Sequence, residues 1–357
     1  MRWSKALLAV LSLAVIVVIA AGCGGGGSST SAGGGGETSS AGGGEAGGGS
    51  EANGGESSDF KAAMILPGSA NDHGYNEDGK RSAELIEKET GGTVELSEAV
   101  AVANQADVYR QYATQGYDLV IGWGGQFSDG AVQAAEEFPD TEFLVVNSNV
   151  ENGSNLASMD TSIEQWQFFA GFVAAKLSKT GSVGWIGGEC FPATAANLYG
   201  TEAGAKYADP KVDFKFKFTN SFEDPTKAQS AAEALIGEGV GAITGNLNNA
   251  WPGVYKAAEE NNIPLVTEWV DNHEQAPSVI ASSVLKSQAK FLAELAVQAQ
   301  EGTLEGTFHL FPLPEDWGPI VAKTSLLPPA VFKEAEALKA KVASGQVKVP
   351  RKETCPS

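Results

Sequence analysis

The strongest constraint on the fold is the regular alternation of short apolar runs with longer helical patterns from Asp59 onward. Apolar runs of strand length recur at 61–66, 93–97, 118–121, 142–146 and 156–159, and again at 182–186, 212–218, 242–244, 264–267 and 279–282. Helical patterns lie between them, for example at 79–89, 165–178, 225–236 and 287–301. Such alternation predicts βαβ units, in which helices cover both faces of a parallel sheet.

The two sets of strands resemble one another, which predicts two similar α/β lobes that face each other. The run Asp-Leu-Val-Ile-Gly, which ends at Gly122, is followed by Ala-Ala-Glu-Glu from Ala134. The run Gly-Ala-Ile-Thr-Gly, which ends at Gly245, is followed at the same interval by Ala-Ala-Glu-Glu from Ala257. Chance similarity between two common strand–helix segments is the alternative explanation.

The N-terminus has the pattern of a bacterial lipoprotein signal. Arg2 and Lys5 precede an apolar stretch at 6–21, which is too short and too abruptly ended for a membrane span. The following Ala-Ala-Gly-Cys resembles a lipobox that ends at Cys23. We therefore expect 1–22 to be a signal peptide and Cys23 to be acylated, which would anchor the protein to the extracytoplasmic face of the cell membrane. An ordinary secretory signal with an incidental cysteine is the alternative.

Residues 23–58 continue as a tract of Gly, Ser and Glu without apolar periodicity. Such a tract cannot bury a core, and we expect a disordered tether after the lipidated cysteine. The whole chain has a formal net charge of −20, which argues against nucleic acid or an anionic membrane surface as a partner.

The loops that follow the predicted strands are the expected ligand site, because open parallel sheets bind ligands outside the carboxyl ends of their strands. These loops combine aromatic side chains with Asn, Asp or Glu, and their members are Asp72, Tyr75, Asn76, Trp123, Asp129, Phe191, Asn246, Trp251 and Trp269. Aromatic faces with nearby amides and carboxylates suit a flat or apolar organic ligand. For any single aromatic residue, packing within its own loop is the alternative.

Catalytic patterns are absent from the sequence. It contains no G-x-S-x-G, H-E-x-x-H or G-x-x-x-x-G-K-[ST] motif, and its three histidines are isolated. We therefore expect no enzyme activity, no cofactor and no metal site; a hydrolase that uses Asp72 or Asp129 with a metal is the weaker alternative. Cys190 and Cys355 either form a disulfide or remain two free thiols, and the sequence leaves both open.

Several short motifs resemble one known family. Asp72-His73-Gly74-Tyr75-Asn76 stands where that family has D-K-S-F-N. Ala170-Gly171, Lys179-Thr180-Gly181 and Gly187-Gly188 follow its L-A-G, S-K-T-G and G-G pattern. The order and spacing of these motifs over 61–350 resemble the Bmp family, also called PnrA-like, of substrate-binding lipoproteins of ABC transporters.

The resemblance implies the fold of a type I periplasmic binding protein. This is an α/β fold of two Rossmann-like, doubly wound parallel-sheet lobes with a hinge and a ligand cleft between the lobes. It places lobe 1 at 59–161 and lobe 2 at 162–283. The hinge return, the C-terminal part of lobe 1 and a tail would occupy 284–357.

The resemblance also implies ligand contacts. Tyr75 and Asn76 match the family's stacking aromatic and adjacent Asn, Asp129 matches its base-binding Asp, and Lys286 matches its ribose-contacting Lys. Other positions depart from the family: Asn197 falls near its second stacking Phe, and Trp269 falls at its ribose-binding Asp. The expected ligand is thus a purine nucleobase or nucleoside, or another aromatic small molecule.

These observations predict a solute-binding protein that captures its ligand by lobe closure and delivers it to an ABC importer. The expected partners are a small solute and a permease in the membrane, with the protein acting as a monomer. The alternative is a ligand sensor that presents its closed form to a membrane receptor.

Overall fold

The structure, a computed structural model, describes residues 58–356. The predicted signal peptide, Cys23 and nearly all of the predicted tether lie outside these residues. The strands are β1 (Lys61–Ile65), β2 (Thr93–Ser97), β3 (Leu119–Trp123), β4 (Glu142–Val146), β5 (Leu156–Asp160), β6 (Ser182–Gly187), β7 (Asp213–Phe218), β8 (Ala242–Asn246), β9 (Leu265–Trp269), β10 (Ile280–Leu285) and β11 (Phe308–Leu310). The α-helices are α1 (Tyr75–Thr90), α2 (Gln105–Thr114), α3 (Ser128–Glu137), α4 (Ile163–Leu177), α5 (Pro192–Ala208), α6 (Pro225–Gly237), α7 (Trp251–Asn261), α8 (Ala289–Gln300) and α9 (Pro329–Ala343).

The strands form two parallel sheets, one in each lobe. The first has the order β11-β5-β4-β3-β1-β2, and the second has the order β10-β9-β8-β6-β7. Every pairing between these strands is parallel, so the predicted class of two parallel-sheet α/β lobes is confirmed. Strands β5-β4-β3-β1-β2 of the first sheet have the same order as strands β10-β9-β8-β6-β7 of the second. Strands β3 and β8, which include most of the two similar runs, therefore lie at equivalent central positions.

Both faces of the first sheet are buried, as the continuous apolar strands predict. Ala62 and Met64 of β1 belong to a core with α1 and α8, whereas Ala63 and Ile65 belong to a core with α2 and α3. Successive side chains of a strand point to opposite faces, so one apolar run supplies both cores. The carboxyl ends of the strands are thereby left as the edge at which loops can form a site.

The chain passes between the lobes three times. It leaves lobe 1 after Asp160, returns after Leu285, and leaves again after Leu310. Helix α8 packs on α1 of lobe 1, but α9 packs on α4 of lobe 2. The sequence predicted that the chain after 284 adds to lobe 1 and then ends in a tail. This is corrected for α9, because its apolar face (Val331, Ala335, Leu338) completes the core of lobe 2.

The C-terminal segment is held against the hinge and lobe 2. Arg351 forms ion pairs of 2.7 Å with Asp160 and 2.8 Å with Glu164, at the two ends of the first crossing. Cys355 forms a disulfide with Cys190 in the loop between β6 and α5, so the sequence alternative of two free thiols is not what the structure has. Within the described residues, no helix is both long and apolar enough to cross a membrane.

Removing this disulfide is expected to destabilise the protein. The two cysteines are 165 residues apart, and in the chain-entropy model a bond that closes so long a loop stabilises by about 3–5 kcal/mol. Urea unfolding of Cys355→Ser should show a loss in that range relative to the unreduced parent. Cys190→Ser and the double variant serve as controls, because each breaks the same bond and should lose the same amount. An unfolding midpoint of the parent that dithiothreitol leaves unchanged would contradict the prediction.

Candidate functional site

A cavity lies between the lobes, at the carboxyl ends of both sheets. It holds about 370 Å³ of space outside protein atoms, including the part that is open to solvent. Its lining residues are Tyr75, Gln126, Asn147, Ile163, Phe191, Ala193, Thr194, Phe222, Asn246, Asn248 and Trp269. The lining has four aromatic rings and several neutral amides, and it has no charged side chain. This is the composition expected for a site that takes an uncharged, flat molecule.

Tyr75 forms the aromatic wall from lobe 1, at the first position of α1. Its ring centroid lies 5.1 Å from that of Trp123 and 5.1 Å from that of Trp269. The indole nitrogen of Trp123 donates to the Tyr75 carbonyl oxygen at 2.9 Å. Burial, with smaller contributions from Asp160 and Asp78, raises the pKa of Tyr75 well above its ordinary value. The phenol therefore stays protonated and acts as a donor.

The acceptor for this phenol is Asn147, which follows β4 directly. The Tyr75 hydroxyl donates to Asn147 Oδ1 at 2.9 Å. The same amide exchanges two hydrogen bonds with Gln288 in the second crossing, at 3.0 and 3.1 Å, and donates to Asp160 in the first at 3.3 Å. One amide thus connects the aromatic wall to two of the three crossings.

Two phenylalanines form the aromatic wall from lobe 2. Phe191 precedes α5 and Phe222 lies in the loop after β7, with ring centroids 5.9 Å apart. Phe191 also touches lobe 1, since a Cβ atom at Gly125 would lie 2.9 Å from its ring and 2.6 Å from the Asn147 carbonyl oxygen. Gly125 therefore lets the lobes approach closely enough to enclose the cavity.

The fourth aromatic side chain, Trp269, ends β9 with φ of 78°. Bulky residues rarely adopt this left-handed conformation, and such strain is typical of functional sites. Its ring lies over Lys286, whose Nζ is 4.0 Å from the ring centroid. Trp269 therefore separates this ammonium from the cavity.

Lys286 is paired beneath Trp269 with Glu268. Lys286 Nζ lies 2.6 Å from Glu268 Oε2, and the two side chains are only 2% and 1% exposed. Burial lowers the pKa of Lys286 below its ordinary value, although the carboxylate of Glu268 acts in the opposite direction. Gln167 Nε2 and Asn246 Nδ2 also donate to this carboxylate. Both charges are thus satisfied within the protein and neither needs a ligand.

The structure distributes the predicted ligand-binding residues over several places. Tyr75, Phe191, Asn246 and Trp269 line the cavity together. Trp123 lies behind Tyr75, and Lys286 lies beneath Trp269.

Besides Trp123 and Lys286, five more predicted residues lie outside the cavity lining. Asp72 accepts hydrogen bonds from the backbone at the start of α1 and from Asn76, and thus orders that loop. Asn197 is buried and accepts from the indole nitrogen of Trp185. Asp129 is exposed in the first turn of α3. Trp251 lines, with Asp72, a second cavity beside the first, with about 420 Å³ of space that includes the part open to solvent. Asn76, Asn197 and Asp129 therefore do not line this cavity.

Seven lining residues were not predicted: Gln126, Asn147, Ile163, Ala193, Thr194, Phe222 and Asn248. Gln126 and Asn248 lie in strand-exit loops that the sequence had singled out, so the pattern could have included them. Phe222 and Ile163 have no such signal, because their position depends on how the lobes meet. Among the described residues there is no cluster of side chains that could hold a metal ion.

Comparisons with known proteins agree with this geometry. Residues 60–353 match the model of the family described as ABC transporter substrate-binding protein PnrA-like. Basic membrane protein A of Borreliella afzelii is 26% identical over 305 residues, which cover 84% of this chain and 94% of that protein.

Solved structures show the same fold. An ABC transporter solute-binding protein from Conexibacter woesei has a TM-score of 0.61 at 25% identity, covering 82% of this chain and 99% of that one. A solute-binding protein of the same kind from Aeropyrum pernix has a TM-score of 0.70 at 19% identity, covering 82% of this chain and 94% of that one.

The Glu268–Lys286 pair gives a prediction about stability. Lys286→Met leaves a carboxylate buried without a counter-charge and should cost about 3–5 kcal/mol. Adding Glu268→Gln removes that charge, so the double variant should unfold at higher denaturant concentration than Lys286→Met alone. Chemical denaturation of the parent, both single variants and the double variant measures this coupling. Losses that simply add would show that the two charges do not depend on each other.

Proposed function

We propose a function from one premise: the chain belongs to the Bmp family of PnrA-like ABC transporter substrate-binding proteins. The family predicted from the sequence is thereby confirmed. Members of this family bind solutes and are not enzymes, which confirms the expectation that the chain is not an enzyme. Membership also implies a small-molecule ligand, a permease partner and an extracytoplasmic location.

The ligand we propose is an uncharged aromatic solute, either a purine nucleobase or nucleoside or another molecule of that shape. The observation that carries this proposal is the cavity lining, which combines four aromatic rings with neutral amides and lacks charge. A charged ligand would lose its hydration in such a cavity without gaining a counter-charge, and this is costly. A flat neutral ring would instead pack between Tyr75 of lobe 1 and Phe222 of lobe 2.

Capture is proposed to occur by closure of the lobes over this ring. The lining comes from both lobes, so a ligand can make all of its contacts only when the lobes are together. A ligand that binds the closed form better shifts the population toward it. The permease would then distinguish the loaded protein from the empty one by the closed arrangement of the lobes.

Within this class, we propose that a free base binds better than its nucleoside. In the family pattern, a carboxylate stands at the position of Trp269 and a lysine at that of Lys286 to contact the sugar. Here Trp269 has a donor N–H and no acceptor, and Lys286 is held by Glu268 beneath the ring. A sugar would therefore find neither partner at those two positions.

The ligand prediction is tested in two steps. Mass spectrometry of small molecules released from the denatured protein should identify a neutral aromatic compound. Calorimetric titration with adenine, guanine, hypoxanthine and their nucleosides should then give roughly tenfold tighter binding for a base than for its nucleoside, because the sugar lacks partners. Phe222→Ala should weaken binding of the same compound about ten- to a hundredfold through lost ring contact.

A matched control for this variant is Phe216→Ala. Phe216 lies on β7 of the same lobe, is 41% exposed and does not line the cavity, so its loss should leave affinity unchanged. Equal weakening by both variants would speak against the cavity as the binding site. A nucleoside that binds tenfold tighter than its base would overturn the argument from Trp269 while leaving solute binding itself intact.

We further propose that the mature protein begins at an acylated Cys23, which tethers it to the membrane. The lipobox-like sequence and the long tract of Gly, Ser and Glu support this proposal. Cys23→Ala should move the protein from the membrane fraction to the soluble extracytoplasmic fraction, as measured by fractionation and immunoblotting. Cys355→Ser, which removes a cysteine elsewhere, should remain in the membrane fraction. A processed Cys23→Ala protein that still fractionates with the membrane would refute the anchor.

A further inference from the structure

The end of β8 and the loop after it contribute two side-chain amides to the cavity wall, and each amide is held by a carboxylate outside the cavity lining. Asn246 Nδ2 donates to Glu268 Oε1 at 2.8 Å, and Asn248 Nδ2 donates to Glu223 Oε1 at 2.8 Å. Both asparagines line the cavity, whereas neither glutamate does. Each amide is therefore held by a carboxylate on the side away from the ligand space.

The chemistry of a carboxylate decides which end of each amide faces that space. An ionised carboxylate only accepts hydrogen bonds, so the NH₂ end of the asparagine must turn toward it. Glu268 also accepts from Lys286 Nζ at 2.6 Å, and both oxygens of Glu223 accept from amides, Oε1 from Asn248 and Oε2 from Asn249 at 2.5 Å. Burial raises the pKa of Glu223, and the hydrogen bonds from the two asparagines act in the opposite direction. What remains for a ligand is the side-chain oxygen Oδ1 of Asn246 and that of Asn248, and neither Oδ1 accepts a hydrogen bond from another described residue.

Other lining residues carry hydrogen-bond donors, which complement the two asparagine oxygens. The indole nitrogen of Trp269 and the hydroxyl of Thr194 are both buried, both belong to cavity-lining residues, and neither has a partner among the described residues. An unpaired buried donor costs free energy that an acceptor on a ligand would recover. The cavity lining thus includes two side-chain acceptors, from the end of β8 and the loop after it, and an unpaired donor from the end of β9.

We propose that Glu223 and Glu268 act as positioning residues that make this wall an acceptor surface, so that the site selects ligands carrying hydrogen-bond donors. The ligand class is a neutral heteroaromatic ring with two amino, amide or hydroxyl donors along one edge and a ring acceptor for Trp269. The inference rests on the proposed function and specifies which solute the same cavity takes. A site with fixed acceptors rejects an analogue that lacks the donors, because its buried oxygens are then left without partners.

The test compares 2,6-diaminopurine, adenine and purine, which carry two, one and no exocyclic amino groups on the same ring system. Calorimetric titration of the full chain should give affinity that falls about tenfold for each amino group lost, corresponding to about 1.4 kcal/mol per step. Glu223→Gln provides the decisive comparison, because a glutamine offers both an oxygen and an NH₂ group and frees Asn248 to turn. In this variant the preference for 2,6-diaminopurine over purine should fall about tenfold, while affinity for purine itself stays the same.

The control is Glu238→Gln, which changes an exposed carboxylate of the same lobe that pairs with Lys217 and lies away from the cavity. It should leave both affinities and their ratio unchanged, and thermal unfolding should show that both variants are folded. A merely structural role of Glu223 would weaken all three compounds equally, which would overturn the inference. Purine that binds as tightly as 2,6-diaminopurine to the parent would also overturn it.

The outcome separates this inference from the proposed function. Binding without any preference for donors contradicts the inference alone. If none of the three purines binds, the compound released from the denatured protein provides the test. That compound should carry two hydrogen-bond donors along one edge, and a compound without them overturns the inference. A protein that neither releases nor binds any aromatic solute contradicts the proposed function, and the inference falls with it.

Discussion

The side-chain amide of Asn147 is the contact on which the arrangement of the two lobes depends. It accepts from Tyr75 in the cavity wall, exchanges hydrogen bonds with Gln288 in one crossing, and donates to Asp160 in another. Arg351 pairs with the other oxygen of Asp160, which brings the C-terminal segment into the same network. Tyr75 in the cavity wall is therefore connected through Asn147 to two of the three crossings and to the C-terminal segment.

A second buried group, Glu268, determines the electrostatic character of the site. It lies one layer behind the cavity and collects hydrogen bonds from Lys286, Gln167 and Asn246. The charged groups of Glu268 and Lys286 pair with each other and do not line the cavity. The ring of Trp269 lies over the ammonium of Lys286. The cavity is uncharged because its charged neighbours satisfy each other, and it keeps the amides that those neighbours orient.

Much of the fold could be predicted from the sequence, because the spacing of the apolar residues and the length of the apolar runs indicate the buried strands and the helices that cover them. The resemblance of the two runs that end at Gly122 and Gly245 correctly indicated two lobes with matching central strands. Of the residues predicted from strand-exit position, Tyr75, Phe191, Asn246 and Trp269 line the candidate cavity. Asp72 lies in such a loop as well, yet it accepts hydrogen bonds from the side chain of Asn76 and from the backbone at the start of α1. Sequence position cannot distinguish a side chain that orders its loop from one that faces a ligand, and it cannot place α9, whose partner lobe is decided by packing over a long sequence separation.

The disulfide between Cys190 and Cys355 has a consequence for the integrity of the two lobes. The chain between these residues passes through lobe 2, enters lobe 1 with α8 and β11, and returns to lobe 2 with α9. The bond therefore closes a covalent ring that includes parts of both lobes. A single cut by a protease anywhere within this ring leaves the two fragments joined, so the protein can tolerate a nicked backbone outside the cell without losing either lobe.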